Sequence, residues 1–184
     1  AADLDGDGYC DLVVRDREGA VRVYWGGGDG LDPGRCSLLP VAPDPPDPGA
    51  EGRRRYAESV EDAPPLVKVV RLGRAWQVFV ARRERVWLVP AVRGTRQFGR
   101  PWTLACPHAL SVAVGDVDGD GRLDLVLAAR DQGDAGERSW VYWGGPGGFR
   151  DDRRTPLPSH RACDVAVGDL DGDGRAEIVL CQAH

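Results

Sequence analysis

The string DLDGDGYCD, near the start of the sequence, packs Asp3, Asp5, Asp7 and Asp11 into nine residues, and close copies return as DVDGDGRLD from Asp116 and DLDGDGRAE from Asp169. Carboxylates held this close repel one another by on the order of 1 kcal/mol per pair even in water. Twelve of the 29 acidic side chains sit in these three strings, so the net charge of −5 is a local matter and the rest of the chain is Arg-rich. That distribution points to discrete cation sites and away from an acidic tail.

More than the acidic string repeats. Asp116 and Asp169 lie 53 residues apart, and Asp3 and Asp116 lie 113 apart, about two such periods. VRVYWGGGDGL at 21–31 matches SWVYWGGPGGF at 139–149, and SVAVGDVDGDGRLDLVLAAR at 111–130 matches DVAVGDLDGDGRAEIVLCQA at 164–183. A degenerate unit fits between them at 65–92, where RLGRA replaces the acidic string. Runs such as VKVV, QVFVA, SVAVG, DLVLA and VYW are short, rich in β-branched and aromatic residues, and bounded by Gly, Asp and Pro. Such runs read as strands. DLVL and EIVL are apolar on both faces, which expects burial on both sides.

About four short antiparallel strands per period of about fifty residues is the arithmetic of a β-propeller blade. The expected fold is all-β, with about three and a half blades in an incomplete ring. Residues 1–40 form a partial blade with an acidic loop, 41–64 a Pro-rich insertion, 65–107 a degenerate blade, 108–160 a full blade with an acidic loop, and 161–184 the start of the next. Because both ends cut a blade, the chain is expected to be an excerpt of a longer protein.

The spacing explains the acid. Carboxylates at loop positions 1, 3 and 5 converge if the chain curls tightly, and glycines at positions 4 and 6 permit the curl by accepting positive φ. These are Gly6 and Gly8, Gly119 and Gly121, Gly172 and Gly174. A main-chain oxygen at position 7 and an acid at position 9, Asp11, Asp124 or Glu177, complete an oxygen shell suited to Ca2+. Zinc or copper would call for His or Cys. An EF-hand needs an acid at position 12 and flanking helices. Position 12 here is Val14, Leu127 or Leu180, and the flanks read as strands.

Other features are weaker. No run reaches the ~20 apolar residues of a membrane-spanning helix, so no membrane insertion is expected within this segment. No basic module suggests nucleic acid. His108, His160 and His184 are isolated, and no nucleophile motif accompanies them, so no enzyme activity is expected. Five cysteines, Cys10, Cys36, Cys106, Cys163 and Cys181, form no CxxC pair. Cys163 and Cys181 would face each other across a hairpin, as a disulfide or as free thiols. Tyr24–Trp25 and Tyr142–Trp143 are expected to pack between blades. Trp76, Trp87 and Trp102 are expected in the core, and Trp140 nearer solvent. The arginines at 53–55 and 153–154 read as solvated loop charge.

VGDVDGDGRLDLVL and VGDLDGDGRAEIVL resemble the FG-GAP/VCBS repeat, the blade of the integrin α-subunit propeller and of many bacterial secreted proteins. The resemblance implies a seven-bladed parent, calcium in the loops and an extracellular or cell-surface setting. It implies three Ca2+ ligand sets: Asp3, Asp5, Asp7, Tyr9 (main chain) and Asp11; Asp116, Asp118, Asp120, Arg122 (main chain) and Asp124; Asp169, Asp171, Asp173, Arg175 (main chain) and Glu177. It implies an adhesion or ligand-binding scaffold with a protein or glycan partner on the propeller face. Alternatives are a non-catalytic propeller of a secreted enzyme and a calcium-dependent lectin.

Overall fold

The computed structural model describes residues 1–16, 19–41, 66–82, 84–133 and 136–182, with side chains 131–137 left aside. The expected insertion at 41–64, the arginines at 53–55 and His184 fall outside these residues, except for Val41. All the regular structure among the described residues is strand, and no helix there is long and apolar enough to cross a membrane.

Among the described residues thirteen strands form four antiparallel sheets, each in chain order. The first sheet holds β1 (Leu12–Arg15), β2 (Val21–Tyr24) and β3 (Cys36–Leu38). The second holds β4 (Val67–Leu72), β5 (Ala75–Ala81), β6 (Arg85–Pro90) and β7 (Trp102–Ala105). The third holds β8 (Ala109–Gly115), β9 (Asp124–Gly133), β10 (Gly136–Tyr142) and β11 (Arg154–Pro158). The fourth is the hairpin of β12 (Ala162–Gly168) and β13 (Glu177–Gln182). These are propeller-like blades in succession. β8, the first strand of its sheet, lies against both β4 and β12.

The core lies between the sheets. Side chains alternate across a strand, so β5 sends Val78 and Val80 toward Val21, Val23 and Trp25 of the first sheet, and Phe79 and Ala81 toward Leu125, Leu127 and Tyr142 of the third. β9 does the same one sheet later, with Leu125 and Leu127 facing back and Val126 and Ala128 facing Ala162 and Val165. The two-faced apolar runs in the sequence are these middle strands. On the outermost sheets one face stays open: Leu12 and Val14 of β1 and Val179 of β13 are exposed.

Of the four repeated aromatics expected between blades, two are fully buried and Tyr24 and Trp143 are half-buried. Trp25 and Tyr142 are buried at the sheet interfaces, and the indole N–H groups of Trp25 and Trp143 donate to Ser37 Oγ and Thr155 Oγ1, each at 2.9 Å. Three placements differ from the sequence reading, and one of them is Arg154, which is a half-buried residue of β11 and not solvated loop charge. Trp102 is 43% exposed, because β7 is the outer edge strand of its sheet. Trp140 is half-buried under the Arg154 guanidinium, which stacks 3.9 Å from its ring centre. Arg154 also donates to Tyr142 Oη at 2.8 Å and to the Ala105 carbonyl, and so ties the second sheet to the third.

A polar chain crosses three blades. Lys68, Ser111 and Asp164 each stand four residues before the end of β4, β8 and β12. Lys68 Nζ donates to Ser111 Oγ at 3.1 Å and to the Val112 carbonyl at 3.2 Å, and Ser111 Oγ donates to Asp164. Ser111 is buried, so removing its hydroxyl leaves charged neighbours short of a partner. Ser111→Ala is expected to lower stability by about 1–2 kcal/mol, read as a lower urea midpoint with an unchanged denaturant slope.

Candidate metal centres in three acidic hairpins

Each acidic string closes between paired residues in the same register: Ala2 with Asp11, Gly115 with Asp124, and Gly168 with Glu177. The second and third strings thus link β8 to β9 and β12 to β13. Position 1 organises the curl. Asp3 accepts the N–H groups of Gly6 and Gly8 at 2.7 and 3.0 Å, Asp116 those of Gly119 and Gly121 at 2.8 and 2.8 Å, and Asp169 those of Gly172 and Gly174 at 2.7 and 3.0 Å. The six glycines have φ between 77° and 91°. At Gly121 a Cβ would meet nothing within 4 Å, so the backbone conformation and not crowding requires glycine there.

Position 9 braces the loop from the far side. Asp11 Oδ2 accepts the Leu4 N–H at 2.7 Å and its Oδ1 accepts the Gly26 N–H at 2.8 Å. Asp124 repeats this with Val117 at 2.9 Å and Gly144 at 2.7 Å. Glu177 Oε2 takes the Leu170 N–H at 2.7 Å. Gly26 and Gly144 belong to the site, and sequence reasoning missed them. Their signal was the YWGG string, which had been weighed for its aromatics. A Cβ on Gly26 would run into the Cys10 carbonyl, and one on Gly144 into the Leu123 carbonyl. Glycine is what lets the third strand approach closely enough to donate.

The structure gathers part of each expected ligand set. Carboxylate oxygens of Asp3, Asp5 and Asp11, of Asp116, Asp118 and Asp124, and of Asp169, Asp171 and Glu177 lie within 4.8 Å of one another in each group, and these groups could hold a metal ion. A carboxylate offers about four lone-pair sites, so the backbone bonds leave capacity for an ion. The position-5 acids stand outside the trios. Asp7, Asp120 and Asp173 accept the N–H of Tyr9, Arg122 and Arg175 at 2.9, 2.9 and 2.8 Å. That is the local turn a short acid makes with the chain two residues on.

The electrostatics differ by position. Burial pushes the Asp11 and Asp124 carboxyls above their usual range, against the lowering by their two backbone N–H partners, and the neighbouring loop acids add to the rise. Asp120 moves the other way, held down by the Arg122 backbone N–H and by its guanidinium at 2.7 Å. Two buried carboxyls resisting ionisation beside further acids are suited to a cation, which reverses the sign of the local field.

All five cysteines are free thiols. Cys163 and Cys181, suggested as a disulfide or as free thiols, are neighbours and unbonded in this structure. A bulge between Ala162 and Asp164 sets Cys163 beside Cys181, and its thiol donates to the Cys181 carbonyl at 3.4 Å. His108 and Arg161 hold φ of 53° and 48° immediately before β8 and β12.

Four antiparallel sheets stacked face to face, three of them carrying an acid-gathering hairpin at the same place in the repeat, define a propeller-like repeat protein. The profile of the FG-GAP-like repeat matches residues 3–45 and 116–180, and the chain belongs to that family. No curated protein matches the chain.

Two predictions arise here. Gly144→Ala is expected to cost more than about 2 kcal/mol, since the methyl meets backbone and the Asp124 carboxylate loses a donor; chemical denaturation checks it. For Asp124, a folded pKa above the unfolded value of 3.8 means its contribution is fully present below that value and is lost as pH rises through the folded pKa. In chelator, the stability of the native chain relative to Asp124→Asn should therefore fall as pH rises above about 4.

Proposed function

We propose that this chain is a calcium-stabilised propeller-like segment of an extracellular protein, serving as an adhesion or ligand-binding scaffold. The observation that supports the metal most is the repetition of one backbone-built trio of carboxylates in three hairpins. Every donor offered is a hard oxygen. Calcium accepts six to eight of these at about 2.3–2.6 Å with loose geometry, whereas magnesium requires a tight octahedron at about 2.0–2.1 Å and retains water. Tyr9, Arg122 and Arg175 would add main-chain oxygens. The ion would neutralise the clustered acid and hold the hairpin against the strand that carries Gly26 or Gly144. The residues of this chain build the cradle, and calcium supplies the charge.

An extracellular setting would suit such sites. Calcium modules outside cells bind at about 10⁻⁴ to 10⁻³ M and are filled by the millimolar calcium there. Middle sheets buried on both faces with solvated loops at their ends suit a rigid scaffold that presents loops to a partner. The exposed aromatics Tyr9, in the first hairpin, and Trp102 favour a glycan as the second class of ligand to try.

Calorimetry is expected to count three calcium ions per chain, with weaker magnesium binding. The double variant Asp118→Ala with Asp171→Ala is expected to retain one. An unchanged stoichiometry in that variant would defeat the ligand assignment. Saturating calcium at about 100 times the dissociation constant should add about 2.7 kcal/mol of stability per site, seen as a higher melting temperature that chelator reverses.

A further inference from the structure

The three hairpins are not electrostatically equal. The connection from β6 to β7 folds over the first of them and brings Arg96 to its mouth. Arg96 Nε lies 3.5 Å from Asp5 Oδ2, and its guanidinium lies 3.8 Å from Asp7 Oδ2. Asp5 is 5% exposed, so the pair is partly withdrawn from water. Among the described residues the ion pair of the second hairpin is its own, Arg122 with Asp120, with Arg153 acting on Asp120 from farther off and the Arg175 side chain lying over Gly119, and the carboxylates of the third have no ion pair.

Arg96 is delivered by a fixed backbone. Ala91 pairs with Phe98, and Val92 N–H donates to the Gln97 carbonyl at 3.1 Å. Phe98 stacks on Trp25 with ring centres 5.7 Å apart. Gly94 N–H donates to the Asp5 carbonyl, and Ser37 Oγ donates to the Arg96 carbonyl at 3.3 Å. The turn is thus pinned to the first sheet on both sides of the arginine, while the Arg96 side chain is 44% exposed and has room to swing. The cleft it borders, lined by Asp5, Gly6, Asp7, Gly94, Thr95 and Arg96, has a volume of about 430 Å³.

We propose that Arg96 is a built-in counter-cation of the first hairpin, which weakens calcium binding there and couples the filling of that site to release of the Arg96 side chain. The inference rests on the calcium reading above. A guanidinium and a divalent ion compete for Asp5 and Asp7, because a fixed positive charge a few ångströms from the ion lowers its affinity. Without the ion the same guanidinium relieves the acid repulsion, so the first hairpin is the one that keeps its charge balanced at low calcium.

Calcium calorimetry on the full chain tests this with Arg96→Gln and Arg96→Lys, and with Asp3→Asn to identify which binding event belongs to the first hairpin. In Arg96→Gln that event alone should tighten by about tenfold, while Arg96→Lys stays within about threefold of the native chain because the charge is kept. In chelator, Arg96→Gln should melt lower than the native chain, and its calcium-induced rise should be larger, a readout independent of heat of binding. Three binding events with none shifted in Arg96→Gln overturn the role of Arg96 and leave the calcium reading standing. Absence of any calcium binding in the native chain overturns the calcium reading, and this inference with it.

Discussion

One carboxylate per hairpin carries more than its share of the architecture. Asp11 and Asp124 each gather two backbone N–H groups, one from within the acidic loop and one from a glycine just past the end of β2 or β10. Both side chains are essentially without solvent. A buried carboxylate that lost these donors would be strongly destabilised, so loop closure, the approach of the third strand and the presence of the acid depend on one another. The gathered trio is a product of that interlock, since position 9 supplies one of its three members.

This interlock accounts for what the sequence showed and what it hid. The strands were legible because apolar residues on both faces of DLVLAA and QVFVA leave few options other than a middle strand between two sheets. The curl was legible because Asp and Gly alternate with a fixed spacing, and each glycine must hold positive φ. The braces were not, because Gly26 and Gly144 matter through a backbone N–H and a missing side chain, neither of which has a periodicity. Trp102 and Trp140 were exchanged for a related reason: propensity gives a strand but does not say whether it lies at an edge or which cation will cover it. The positive φ of His108 and Arg161 left no mark either, as neither residue type announces that conformation.

The degenerate blade shows which parts of the repeat are separable. Its first hairpin shrinks to a tight turn in which Leu72 pairs with Ala75 across Gly73 and Arg74. No acid remains there, yet its four strands and both apolar faces persist. Sheet stacking therefore does not require the acidic loop. In exchange the same blade lends a different connection to its neighbour, the turn carrying Gly94 and Arg96, which reaches the first hairpin through backbone and side chain alike.

The line of Lys68, Ser111 and Asp164 carries a lesson about how such repeats diverge. The three residues hold one place in three units and are a cation, a hydroxyl and an anion. Identity between copies would have put three like charges or three hydroxyls in a row. Unlike chemistry at like positions gives each unit a distinct handshake with the next, so units that share a backbone are not interchangeable, and the succession of blades along the chain is written into their contacts as well as into their covalent order.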